Sequence, residues 1–156
     1  MKPLDLLLTA EDLVNASNGK PRQSNLRRAM SSVYYALFHT LACSCADLLI
    51  GGAGAGKSLE AWRQVYRSLD HGFAKSACKN TAKMRLFPQD IQEFAIRFVT
   101  MQEKRHLADY HPNEKQFKTD VLLEIGQARS AIKAYANTDK KDRRAFCAYV
   151  LLKDRQ

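Results

Sequence analysis

No apolar run in this 156-residue chain approaches the roughly 20 residues that a membrane-crossing helix requires, so no membrane span is expected. Cysteine is scarce, at four residues. Cys43 and Cys45 form a Cys-x-Cys pair without the spacing of the usual zinc motifs, and no second pair matches it. Buried reduced thiols are expected, with no metal site and no cofactor. Convincing strands are missing, as are internal repeats and any low-complexity tract beyond one short glycine loop. Acid is also in short supply: 16 Asp and Glu against 25 Lys and Arg give a net charge of +9. A small basic domain fits a polyanionic partner, because phosphate contacts supply much of the affinity for nucleic acid. The opening M-K-P-L-D-L-L-L-T-A-E-D carries acids too early for a signal peptide, so a cytoplasmic protein is expected.

What the chain does have is helical periodicity. At 46% hydrophobic and 26% charged residues it is ordinary globular material for a single domain spanning 1–156. Leu4, Leu7, Leu8, Leu13 and Val14 predict a first helix over 4–16, ended by the turn cluster Asn18-Gly19-Lys20-Pro21. The longest signal runs over 23–50, with Ser24 as its expected cap. Leu26, Met30, Val33, Leu37 and Leu41 form its apolar stripe. Arg27, Arg28, Ser31, Ser32 and Tyr35 leave a second, polar face, and His39 follows four residues after Tyr35.

A third helix is read over 59–70 from Trp62, Val65, Tyr66 and Leu69, with His71-Gly72 as its end or a kink. A weakly amphipathic basic piece follows over 73–84. The fourth helix begins at Phe87-Pro88-Gln89-Asp90, with Pro88 in its first turn. Another is expected from about 117, and a terminal helix capped by Asp139 fills the last 20 or so residues. The fold class is therefore all-α, an antiparallel up-and-down bundle of about five to six helices.

Residues 51–58 read G-G-A-G-A-G-K-S, formally a phosphate-cradling loop of the Walker type. That mechanism needs a strand before the loop, a helix after it and a parallel sheet around both. Here a helix precedes it, so the loop is read as a flexible helix–helix connector.

Chemistry concentrates in residues 102–112, Q-E-K-R-H-L-A-D-Y-H-P. The run leading there places Ile91, Phe94, Ala95, Phe98 and Val99 toward the core. A helix returns to the same face after seven residues, so Phe98 is followed there by Arg105. An unpaired buried charge is costly, so Arg105 must pair, snorkel into a cleft or work on an anion. Asp109 stands four residues on, where an ion pair is possible. Pro112 disfavours helical continuation at His111, so His106, Tyr110 and His111 crowd around the same helix end.

At this point the sequence resembles a known family. L-R-R-A-M-S-S-V-Y-Y-A-L-F-H at 26–39 is very like the signature helix of HEPN (higher eukaryotes and prokaryotes nucleotide-binding) domains. R-H-L-A-D-Y-H-P at 105–112 is similar to the family's motif helix, and A-W-R-Q-V-Y-R-S-L-D-H at 61–71 also looks like bacterial members. The resemblance covers nearly the whole chain and implies a HEPN-like bundle. It implies metal-independent RNA cleavage at a homodimer cleft, with Arg105 and His111 as the arginine and histidine of the ribonuclease motif. His106, Asp109 and Tyr110 would support them, and Arg28, Arg85 and Lys104 would contact the RNA backbone. It further implies a toxin of a two-gene module, paired with a nucleotidyltransferase-like antitoxin. In the commonest motif spacing the histidine position falls on Tyr110, which leaves open a non-catalytic module that binds nucleic acid, nucleotide or a partner protein.

Overall fold

The longer α-helices lie where apolar residues recur at helical spacing, and the long second one packs against most of the others. The computed structural model describes residues 2–54 and 56–155. Within them the order is α1 (Pro3–Val14), α2 (Gln23–Leu49), α3 (Leu59–Ser68), α4 (His71–Cys78), α5 (Thr81–Met84), α6 (Gln89–Tyr110), α7 (Lys118–Ala136) and α8 (Lys140–Leu151). The all-α expectation holds among the described residues, but the helices number eight where five to six were expected. The extra two come from 71–84, where side-chain caps restart the helix twice. Asp70 Oδ1 accepts the Phe73 amide at 2.7 Å, and Asn80 Oδ1 accepts that of Lys83 at 3.2 Å. His71 consequently opens α4 instead of closing α3.

Two smaller boundaries also differ. Arg22 takes the N-cap of α2 without a side-chain bond, leaving Ser24 inside the helix. Pro88 is the N-cap of α6 and not part of its first turn. Asp139 does cap α8, accepting from the Lys141 amide at 3.3 Å.

α2 packs against α1, α3, α6, α7 and α8, which explains why Tyr34, Ala36, Leu37 and Leu41 are all fully buried although they point in different directions. The side carrying Arg28, Ser31, Ser32, Tyr35 and His39 is left partly open. Below it, Phe94 of α6 stacks on Tyr135 of α7 with ring centroids 4.5 Å apart, and Phe146 of α8 meets both edge-on. Truncating such a buried ring to alanine costs about 3–5 kcal/mol. α7 is tied to α6 by Glu124, which receives Arg97 at 3.0 Å and Lys104 at 2.5 Å, and to α1 by Arg129–Glu11 at 2.7 Å. No helix among the described residues is long and apolar enough to cross a membrane.

Candidate functional site

α6 stops at Tyr110 because His111, the residue before Pro112, adopts an extended backbone (φ −89°, ψ 114°). The free carbonyls at a helix end need donors, and α2 supplies them. Arg27 donates through Nη1 to the Ala108 carbonyl at 3.1 Å, and through Nη2 to those of Pro112 at 3.2 Å and Glu114. Gln23 exchanges two hydrogen bonds of 2.8 Å with the backbone of Gln116. The start of α2 thus fixes the end of α6, and the polar face of α2 is brought beside Arg105.

Arg105 is mostly covered, with its side chain 15% exposed. Its guanidinium carbon lies 5.3 Å from the ring centroid of Tyr34 and 5.5 Å from that of Tyr35, within cation–π range. Nη1 donates to the Tyr35 hydroxyl at 3.4 Å and to Asp109 Oδ2 at 3.3 Å. Ser31 Oγ is 3.5 Å from the same carboxylate oxygen. Nε is buried without a partner, whereas Nη2, which has none among the described residues, is not enclosed in the same way. The expected pair with Asp109 is present. The fork is anchored on one side and open on the other.

Two histidines adjoin this arginine from other helices. Tyr34 is fully buried, and its hydroxyl lies 2.6 Å from His71 Nδ1. Burial pushes the Tyr34 phenol far above its usual range, the positive Arg105 partly opposing, so the hydroxyl keeps its proton and donates it to the imidazole. His71 stacks on Phe38 at 4.0 Å and meets Tyr35 edge-on at 6.1 Å. Burial, then repulsion by Arg105, lowers the His71 pKa below 6.5.

His39 lies between Tyr66 and Tyr35, with centroids 5.8 and 6.1 Å away, and its Nδ1 is 2.5 Å from the Tyr66 hydroxyl. Burial lowers the His39 pKa and raises that of Tyr66. A neutral imidazole that accepts at Nδ1 carries its proton on Nε2. In both residues Nε2 has no partner among the described residues, and neither ring is fully buried.

The residues expected around the helix end divide into two groups. Arg105 and Asp109 form one cluster, joined by Tyr35 of α2. His106 and Tyr110 form another on the outer side, rings 5.0 Å apart, with Tyr110 and His111 exposed. His111 shares no hydrogen bond with Arg105. Two depressions adjoin the cluster of Arg105, Asp109 and Tyr35. One, of about 350 Å³, is lined by Lys75, Gln102, Glu103, Arg105, His106 and Leu107. The other, of about 460 Å³, runs between α1 and α2 past Arg28, Ser31, Ser32, Tyr35, His39 and Asp109. Arg28 therefore lies in the cleft. Lys104 is engaged with Glu124 instead, and Arg85 is exposed at the end of α5, outside these contacts.

Sequence reasoning noted the Tyr35–His39 spacing without giving His39 a task, and it read His71 only as a helix boundary. The first had a signal in the i, i+4 repeat on the polar face of α2. The second had none, because α4 brings His71 back across 37 residues to Tyr34.

The glycine loop is a connector between two helices, with Ala55 outside the described residues. Its lysine turns inward: Lys57 Nζ donates to the carbonyls of Gly51 at 3.0 Å and Gly52 at 3.1 Å and lies over the Trp62 ring. Its serine, Ser58, caps α3 by accepting from the Ala61 amide. Among the described residues no group of three or more His, Cys, Asp and Glu is placed to hold a metal ion. Compared with protein-family models, curated proteins and solved structures, the chain matches none.

Proposed function

We propose that the protein is a metal-independent endoribonuclease of the HEPN type, acting as a homodimer with its active site at a cleft beside the end of α6. The observation that carries this reading is the state of Arg105. Its fork is oriented by Tyr35 and Asp109 through Nη1 while Nη2 stays open. A guanidinium held in this way suits a phosphate, whose geometry it matches and whose growing charge it stabilises during cleavage. In that reaction the ribose 2′-hydroxyl attacks phosphorus and the bond to O5′ breaks. One group takes the hydroxyl proton and another supplies a proton to the leaving oxygen.

His111 is assigned to proton transfer, a task for which imidazole is suited near neutral pH. Its exposure, and its lack of a hydrogen bond to Arg105 in one chain, fit an encounter across a two-fold axis. His106 and Tyr110 would orient the sugar or phosphate, and Arg28 would contact the backbone. The resemblance to bacterial HEPN toxins supports a role in a two-gene module with a nucleotidyltransferase-like antitoxin. A non-catalytic binding module is the second reading. It is favoured by one feature, the exposed Tyr110 at the position where the motif most often has its histidine.

Cleavage of labelled RNA in EDTA by wild type, Arg105→Ala and His111→Ala separates the two, once each variant is shown to fold and dimerise. The ribonuclease reading requires activity in wild type that both substitutions abolish. A folded wild type that binds RNA but cuts none of a broad panel supports the binding module.

A further inference from the structure

We propose that His39 and His71 are RNA-contacting residues, which together with Nη2 of Arg105 present N–H donors to the phosphate oxygens of a single strand laid over Tyr35. This rests on the assignment of the Arg105 cleft to RNA, and it adds two residues from outside the motif helix.

The geometry begins with the tyrosines. Each imidazole has its Nδ1 occupied by a phenol from a different helix: Tyr34 of α2 holds His71 of α4, and Tyr66 of α3 holds His39 of α2. A fully buried hydroxyl such as that of Tyr34 must place its proton somewhere, and His71 Nδ1 is its only hydrogen-bond partner among the described residues. That donation sets the His71 proton on Nε2, and the Tyr66 contact accommodates the same tautomer at His39. A histidine serving only to fill a core would have both nitrogens enclosed. Here each ring is only half-buried, and Nε2 of each has no partner among the described residues.

The surroundings point to the chemistry of the ligand. Tyr35 is the common neighbour: His39 and His71 each lie 6.1 Å from its ring, and Arg105 lies 5.5 Å from it. Three helices thus aim N–H groups around one half-buried aromatic. The adjoining groove adds Arg28 and the hydroxyls of Ser31 and Ser32, while its acid, Asp109, is already engaged by Arg105 and Ser31. Such a surface is rich in donors and has its acid occupied, which favours a phosphodiester strand over a cation. The roughly parallel row Trp62, Tyr66, His39 and Tyr35, with spacings of 5.2, 5.8 and 6.1 Å, packs these rings against one another and holds His39 in place.

Imidazole nitrogen NMR on the wild-type protein, titrated with an uncleavable 2′-O-methyl hexanucleotide, tests this directly. Before addition, His39 and His71 are expected to show the Nε2–H tautomer. On addition their signals shift more than those of His106 and His111 and saturate with one common Kd. His39→Gln and His71→Gln each weaken binding about tenfold, and Tyr66→Phe loosens the His39 tautomer while retaining most of the affinity. Oligonucleotide binding that leaves both imidazoles unmoved overturns the proposal, as does failure of the hexanucleotide to bind at all. If wild type cuts RNA while these two signals stay still, only this inference falls. If the two signals shift but no RNA is ever cut, the inference stands and the ribonuclease reading falls.

Discussion

Lys104 and Arg105 are consecutive cations on one helix, yet they meet opposite fates. Lys104 reaches Glu124, a carboxylate only 5% exposed that also receives Arg97, so the charges there answer one another and close the α6–α7 seam. Arg105 finds Asp109, itself 27% exposed, on one side of its fork and solvent on the other. A charge paired with a buried carboxylate on a neighbouring helix ties the two helices together. One that is half met, and held still while it waits, is prepared for an anion. The contrast breaks if the two cations prove equivalent. Arg105→Ala is expected to lower kcat/KM for RNA cleavage by about 10²–10³-fold, the usual cost of removing a group that stabilises transition-state charge. Lys104→Ala should lower it less than tenfold. Parallel kinetics on one labelled substrate, with circular dichroism to check folding, would show equal losses if the distinction is false.

The converse prediction concerns stability. Glu124→Gln removes the charge that Arg97 and Lys104 share, though both cations keep some access to water. A loss of about 1–3 kcal/mol is expected from disrupting a buried charge-assisted set, read from urea unfolding with an unchanged m-value. RNA cleavage by the folded variant should match wild type. Asp109→Asn should behave the other way, with little change in unfolding and a clear fall in cleavage as the Arg105 fork loses its anchor. Reversal of the two patterns would mean that the seam and the cleft have been assigned to the wrong faces of α6.

Sequence periodicity reveals one half of this comparison better than the other. The long α2, the apolar run leading to Arg105, and the Arg105–Asp109 pair all follow from spacing within one helix, where i, i+4 and i+7 fix which residues share a face. Contacts made across the fold do not. Arg27 looked like one more solvated cation on the polar side of α2, yet it caps carbonyls 81 to 87 residues away. Glu124 was indistinguishable from any acid on an amphipathic helix, and Lys104 looked free to meet RNA. His71 was hidden for a local reason too. Asp70 restarts the helix there, so the residue that seemed to end one element begins the next and carries its ring back to Tyr34.

A subtler effect sharpens the comparison through pH. His39 and His71 both have folded pKa values below the ordinary 6.5. The unfolded chain takes up a proton at each near 6.5 while the folded chain resists it, so the unfolded state binds more protons below that pH. Stability is full above about pH 6.5 and declines as the pH falls toward the folded values. Replacing both residues by Gln should flatten that decline between about pH 7 and 5.5 in chemical denaturation. Arg105 contributes to the shift of His71 but not to that of His39. Arg105→Ala is therefore expected to raise the His71 midpoint in an NMR titration and leave that of His39 in place. Lys104→Ala should move neither.

The smallest effect is expected at the glycine loop, where a third cation extends the contrast between closed and open charges. Lys57 has the sequence position of a phosphate-binding lysine, but its ammonium is taken by the carbonyls of Gly51 and Gly52 and by the face of Trp62. Helix α2 runs directly into the loop, so no sheet edge stands behind it to aim a row of amides at a phosphate. By the logic that separates Lys104 from Arg105, Lys57 is a closed charge. Lys57→Ala should cost about 0.5–1.5 kcal/mol, the ordinary net value of intramolecular hydrogen bonds, or less because the loop is largely exposed. RNA cleavage should be unchanged, and calorimetry with millimolar ATP and magnesium should show no heat that the substitution removes. A Lys57-dependent binding signal would reverse the assignment. It would mean that the ammonium leaves its carbonyls when a triphosphate arrives, and that hydrogen-bond satisfaction within the free chain does not by itself mark a structural cation.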